Sequence, residues 1–361
     1  MPVRMKDIAE ELGISVVTVS KVFNNHKDIS AATRERVLRR MKELNYQPSL
    51  HAQGLASGRT LMVGLIVPDL VHTFFSEVAK SISDTLRKKG FGLVISSSGE
   101  EPELERQEIE QMMRRRVDVL ILASCESRPR SLAQIQEQKV PLILIDREFA
   151  GFPANFVGTD DLLVGEIATE HLIAMGRRRI AHIGGQQVST SMGRLQGYKN
   201  TLAKYGITVP AGYVVQRRRG DESGDKTGQS AMEKLLQIKP RPDAVFCYND
   251  PAAIGAMNAI LAAGLRIPQD IAIVGSGNIR YADSLRVPLS SVDVSRHSLG
   301  ELAGTLALKL AEGSRRTAPK RITVTPMLVV RHSSRLEPVE AMHQPQPSRR
   351  RTPAPVADVA P

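Results

Sequence analysis

Hydrophobic positions change their period along the chain. Between Met5 and Leu44 they recur at helical spacing in three short stretches. Ile8, Ala9 and Leu12 share one face of a helix beginning at Met5. Val19, Val22 and Phe23 share a face of a second helix, Val16 to Asn24, and Val37, Met41 and Leu44 mark a third. Gly13 supplies a sharp turn between the first two. Ser15 and Ser30 stand where a hydroxyl caps the open amides of the second and third. From Leu61 the rhythm differs. Apolar runs of five to seven residues alternate with helical stretches: LMVGLIV at 61–67, FGLVIS at 91–96, VDVLILA at 117–123, VPLILID at 140–146, RIAHIG at 179–184, DAVFCY at 243–248 and DIAIVG at 270–275. Runs that are apolar throughout belong to parallel strands buried on both faces. After the first of them, Phe75, Val78, Ile82 and Leu86 fall on one helix face.

This alternation predicts α/β architecture, and its length exceeds the usual capacity of one sheet, so two doubly wound lobes are expected. Four segments follow. Residues 1–46 form a small helical domain, 47–60 (QPSLHAQGLASGRT) a linker with at most one short helix, 61–336 the two-lobed core, and 337–361 a proline-rich tail without periodicity, read as disordered.

Composition narrows the function. The 361 residues are 42% hydrophobic and 24% charged, which excludes wholesale disorder. Lys and Arg number 49 against 38 Asp and Glu, a formal charge of +11 that suits a polyanionic partner. Two cysteines, Cys125 and Cys247, give neither a disulfide framework nor a paired-Cys metal spacing. The opening MPVRMKDIAEELG has no apolar signal core, and no apolar run approaches bilayer length. A cytoplasmic protein without a membrane segment is expected. The eight histidines form no i, i+4 pair, and neither Gly184-Gly185 nor Gly275-Ser276-Gly277 completes a nucleotide-binding motif. No enzyme, metal or cofactor is expected.

Two short helices around a glycine turn, braced by a third, fit a helix-turn-helix or a generic small bundle equally well. The residues separate these. KDIAEELGISVVTVSKVFN, then ISAATRERVLRRMKELNYQPSLHAQGLASGRT, resembles the headpiece of the LacI/GalR family of bacterial repressors. The resemblance continues through GLIVPDLVHTFFSEVAKSI, VPLILIDRE, EHLIAMGRRRIAHIGG, YNDPAAIGAM and GLRIPQDIAIVG, covering residues 5 to about 335. It implies a dimeric DNA-binding regulator whose core is similar to type I periplasmic binding proteins and senses a small molecule. A solute-binding protein with the same core is the alternative, disfavoured by the headpiece.

The resemblance assigns residues. In the headpiece it puts Val16, Val17 and Lys21 at base edges. Ser15, Thr18 and Ser20, with the helix amides, offer donors to phosphate oxygens. Valine methyls pack on a thymine methyl. Lys21 donates to guanine O6 and N7 without the planar fork of an arginine. The linker matches the family's hinge helix, with Leu55 at the position wedged into a base step and Ala52 where paired hinges pack closely. About eight residues of helix are too few to be stable alone, and Gly54 weakens them further.

In the core, ligands of two-lobed sheet proteins sit at strand C-termini. The resemblance places Phe74, Asp146, Arg194 and Asn249 at the effector. Asp250 either joins them or caps the next helix, and Arg296 occupies a further pocket position. Three departures bear on the ligand: GSGNIR carries Gly277 and Asn278 where sugar-binding members have an acidic pair, Ser223 stands where an aromatic platform is expected, and Arg296 replaces an apolar residue. They argue against a common neutral hexose and toward an anionic or otherwise unusual effector. The reading is a homodimeric, sequence-specific transcription regulator on a pseudo-palindromic operator, controlled by a sugar-like or anionic effector. The arginine runs at 114–116, 177–179 and 217–219 are expected to be solvated helix ends and turns.

Overall fold

The computed structural model describes residues 3–23, 25–46, 59–130, 132, 135, 137–218, 224–313 and 318–335. The linker residues 47–58 and the tail from 336 onward lie outside them.

Three helices form the N-terminal domain: α1 (Met5–Leu12), α2 (Val16–Phe23) and α3 (Ala31–Glu43). Gly13 closes α1 at φ +63, a left-handed conformation that costs glycine little. The Ser15 hydroxyl accepts from the Thr18 amide at 3.1 Å, and that of Ser30 from the Thr33 amide at 3.2 Å, as the sequence predicts. Ile8, Ala9, Val19, Val22, Val37 and Met41 form the core, with Leu12, Phe23 and Leu44 partly buried against it. A core of about six apolar side chains suffices because the helices are short and each spends one face on it.

The described residues divide into two compact units, with the headpiece counted in the first. The first takes its described residues from Met1–Asp161, Gln187–Gly193 and Val294–Pro326; the second from Leu162–Gln186, Arg194–Asp293 and Met327–Pro361. In the first, strands β1 (Met62–Val67), β2 (Gly92–Ser97), β3 (Val119–Leu122), β4 (Leu142–Ile145), β5 (Asn155–Thr159) and β11 (Arg321–Val324) make a parallel sheet ordered β2-β1-β3-β4-β5-β11. In the second, β6 (Ile180–Gly184), β7 (Val214–Gln216), β8 (Ala244–Cys247), β9 (Ala272–Ser276), β10 (Ser290–Asp293) and β12 (Met327–Val329) are ordered β7-β6-β8-β9-β10-β12. Here β12 runs antiparallel to β10, the one departure from parallel pairing in the two sheets. Strand order reverses between β1 and β3 and again between β6 and β8, and such switch points open a crevice at the strand C-termini.

All seven expected runs are strands. The others were not individually expected: NFVGT, VVQ, SSVD, RITV and MLV are too short or too polar to announce themselves, and are recruited by pairing with stronger neighbours.

Helix α4 (Thr73–Arg87) follows β1 and buries Phe75, Val78, Ile82 and Leu86, the expected face. Helix α5 (Pro102–Arg114) follows β2, α6 (Asp161–Ala174) follows β5, and α7 (Ser189–Lys204) follows β6. Helices α8 (Asp225–Leu236), α9 (Asp250–Ala262) and α10 (Arg296–Ala311) follow β7, β8 and β10. Helix α10 lies close on α4: a Cβ on Gly300 would come within 2.6 Å of the Val78 carbonyl oxygen, so glycine alone permits the approach.

One expectation on the arginines needs correction. Arg114, Arg115 and Arg116 are exposed, but Arg177 is buried and donates to the Pro268 carbonyl at 2.5 Å, and Arg217 is buried as well. Local sequence could not reveal this, because the accepting carbonyl is supplied by a loop about ninety residues away. Arg219 lies outside the described residues.

Candidate functional site

On the headpiece, α2 begins with two adjacent exposed valines, Val16 at 43% and Val17 at 64%, whereas Val19 and Val22 of the same helix are buried. The cap at Ser15 fixes where the helix starts and therefore where these methyls stand. The Ser15 hydroxyl also lies 2.9 Å from that of Thr18, so two of the three expected phosphate donors form one hydrogen-bonded pair. Ser20 is half-buried. Lys21, in the last turn, directs its ammonium to the Asp28 carboxylate, 2.5 Å from Oδ2. Asp28 carries no sequence signal of its own and was not anticipated. Ala52 and Leu55 lie outside the described residues.

In the first core unit, Phe74 and Phe75 open α4 with rings edge to face, 4.9 Å between centroids. Asp146 follows β4 at φ +64, an uncommon conformation for a residue with a Cβ, and strain of this kind concentrates at ligand sites. Its neighbour Arg147 ties the strand ends together. The guanidinium donates to the Ser124 carbonyl beyond β3 at 3.1 Å, stands 3.8 Å from Glu100 beyond β2, and lies 5.9 Å from the Phe75 ring centre. Arg147, 3.9 Å from the Asp146 carboxylate, thus links the ends of β2, β3 and β4 to the start of α4, and sequence reasoning did not single it out. Its position directly after a strand end was the available signal.

Arg296 is the first residue of α10, and the close packing on α4 brings it to Glu77, 3.0 Å from guanidinium nitrogen to Oε1. The charge from which an anionic effector is expected is therefore answered within the same unit. The case for an anion is correspondingly weaker.

In the second unit, Arg194 is buried and donates to the Tyr248 carbonyl at 2.6 Å, which holds it beside Asn249. Asn249 caps α9: its Oδ1 accepts from the Ala252 amide at 2.9 Å. Asp250 was expected as a ligand contact or as this cap, and it is not the cap. It is fully buried, accepting from the Ile279 amide at 2.8 Å through Oδ2 and from the Ser291 hydroxyl at 2.6 Å through Oδ1. The physical reason lies in Gly275, whose missing side chain leaves the space this carboxylate fills. Asn278 is likewise engaged: its Nδ2 donates to Asp293 at 2.9 Å and its Oδ1 accepts from Arg331 at 2.8 Å. Gln216 ends β7 with its amide buried over Gly184 and no hydrogen-bond partner among the described residues, a polar group the sequence did not single out. Ser223 lies outside the described residues.

Among the described residues no cluster of three or more His, Cys, Asp or Glu is arranged to hold a metal ion, and no helix is long and apolar enough to cross a membrane.

Comparison with known proteins agrees with this division. Residues 4–49 match the model of bacterial regulatory proteins of the lacI family, and residues 169–334 match a periplasmic binding protein-like domain. The chain is 33% identical over 340 residues to the ribose operon repressor of Escherichia coli K12, covering 91% of this chain and 99% of the repressor. It is 34% identical over 341 residues to the transcriptional regulator GalR of the same organism, covering 94% and 98%. The lac repressor dimer bound to operator and an anti-inducer superposes with a TM-score of 0.82 at 26% identity, covering 92% of this chain and 99% of that one. Helical headpiece, paired α/β units and near full-length relatives lead to one conclusion: the chain belongs to the lacI family of bacterial regulatory proteins.

Proposed function

We propose that the protein is a transcription repressor that binds a pseudo-palindromic operator as a homodimer and is controlled by a small-molecule effector, sugar-like or anionic, taken up by the core. The observation that carries this is the headpiece: a capped helix offering two exposed valines and a lysine at the expected reading positions, joined to a core of binding-protein type. Dimerisation follows from the likeness to a repressor solved as a dimer on its operator. Two twofold-related headpieces then call for two half-sites. A complex of the regulator CelR with cellobiose, 30% identical with a TM-score of 0.68, supports a small-molecule ligand. In this reading the protein is not an enzyme and works in the cytoplasm on chromosomal DNA.

The effector contacts are Phe74, Asp146, Arg194 and Asn249, with Arg147 added. Arg296 acts as part of its pair with Glu77. Within the first unit the Asp146 carboxylate stands 3.9 Å from the Arg147 guanidinium, and such a pair suits hydroxyls on a ligand, one accepting and the other donating. Leu55 and Ala52 serve as hinge wedge and hinge contact, so that the effector acts by changing how readily the hinge orders on DNA.

The test is operator selection from random duplexes by the full-length protein, followed by a small-molecule screen for release or tightening. Asp146→Ala and Arg194→Ala should abolish the response while leaving DNA affinity nearly unchanged. A full response in both variants would place the effector elsewhere, and absence of any preferred sequence would reject the repressor itself.

A further inference from the structure

The contact between Lys21 and Asp28 joins the reading helix to the segment before α3. That segment is braced. Arg34 of α3 donates to Asn25 Oδ1 at 2.6 Å and to the His26 carbonyl, and the His26 amide returns to the Lys21 carbonyl at 2.9 Å. Asp28 therefore stands between the His26 anchor and the Ser30 cap, and it holds the Lys21 ammonium at 2.5 Å.

Folding gives little reason for this pair. Both side chains are about half exposed, 41% and 54%, and ion pairs so exposed add little stability. A carboxylate near DNA also lowers affinity for a polyanion unless it accepts a hydrogen bond there. The major groove supplies such a donor in cytosine N4. Lysine has a flexible four-carbon stem and no fixed donor direction, which is what the contact with Asp28 provides. One N–H of the ammonium meets Oδ2, two remain, and among the described residues Oδ1 makes no hydrogen bond to another residue.

We propose that Lys21 and Asp28 act as one composite reader of a G·C pair in each operator half-site, the ammonium donating to guanine O6 and N7 and the carboxylate accepting from cytosine N4. A donor and an acceptor one hydrogen bond apart complement the O6 and N4 edges of that pair. An A·T pair fits worse, because the adenine N6 donor separates its two acceptors and the ammonium cannot bridge them. Asp28 is thus both a reading residue and the positioning residue for Lys21. The inference rests on α2 entering the major groove.

The experiment selects duplexes from a random pool with the full-length protein and with Asp28→Asn, Asp28→Glu, Lys21→Ala and the Lys21→Ala/Asp28→Asn double variant, all at one salt concentration. Wild type should select a G·C pair at one position of each half-site. Asp28→Asn should lower that preference roughly tenfold to a hundredfold. Adding it to Lys21→Ala should change that position by less than Asp28→Asn does alone, since the two act as a unit. Asp28→Glu keeps the charge and should lose part of the same preference, which separates reading from folding should the Asn variant unfold. Uniformly tighter binding by Asp28→Asn with base preference intact would reduce Asp28 to a mask on Lys21 and overturn the proposal. So would an A·T pair at the position that Lys21→Ala relaxes, or a preference that neither Asp28 variant alters. A wild-type protein that selects no sequence fails earlier, at the entry of α2 into the groove.

Discussion

The carboxylate of Asp250 occupies the space that a side chain on Gly275 would need: a Cβ there would overlap Oδ1 and lie 3.3 Å from the Cβ of Ala253. Glycine at the end of β9 and aspartate at the start of α9 are one feature, because the carboxylate crosses the glycine to reach the Ile279 amide and the Ser291 hydroxyl. Asp250→Ala strands both donors in a buried site and should cost about 3 kcal/mol of stability. Gly275→Ala should destabilise as well, by forcing the carboxylate out. Urea unfolding of both variants checks this, and wild-type stability in Asp250→Ala would show that the network bears no weight.

Stability should also depend on pH through His182. This histidine lies in the core of the second unit, stacked 5.2 Å from Tyr198 and tilted against Phe246 at 4.9 Å, with Nδ1 3.0 Å from the Phe246 carbonyl. Burial pushes its pKa down to about 3, and the charges of Arg194 and Lys199 add to the effect. The folded state keeps the ring neutral while the unfolded chain takes up a proton below about pH 6.5. The stabilisation is therefore complete above pH 6.5 and is lost as pH falls toward 3, at most about 1.4 kcal/mol per pH unit. Chemical denaturation of wild type and His182→Phe at pH 5, 6 and 7 isolates this contribution. Parallel profiles for the two proteins would show that His182 does not supply it.

The thiols of Cys125 and Cys247 are both buried and their pKa values are raised, by burial first and then by the neighbouring carboxylates Glu105 and Asp250. The reactive thiolate is thus suppressed. Neither cysteine should react with Ellman's reagent in the native protein, and both should react in denaturant. Rapid native labelling would contradict the packing around them.

DNA affinity should fall linearly with salt on logarithmic axes, because binding releases counterions in proportion to the phosphates neutralised. Fluorescence anisotropy on the selected operator from 50 to 300 mM salt, roughly the range in which such slopes are read, provides the check. A flat line would remove phosphate contact from the account.

Much of this arrangement is legible in the sequence. Gly13, Ser15 and Ser30 punctuate the headpiece because turn and cap preferences act within a few residues. The seven apolar runs are strands because two-sided burial demands continuous hydrophobicity. The site was read less fully. Asn249 and Asp250 are adjacent and chemically alike, yet one caps a helix and the other is buried across Gly275, a difference set by β9 and β10.

The sequence by itself determined the headpiece helices, the seven strongest strands, their order and the family, all of which follow from period, local caps and contiguous motifs. Only the tertiary structure decided which charges are answered. Lys21 meets Asp28, Arg296 meets Glu77 and Asn278 meets Asp293, pairs separated by 7, 219 and 15 residues. Hydrogen bonds and ion pairs act over a few ångströms, and which side chains come that close is fixed by packing, as when Gly300 lets α10 settle onto α4.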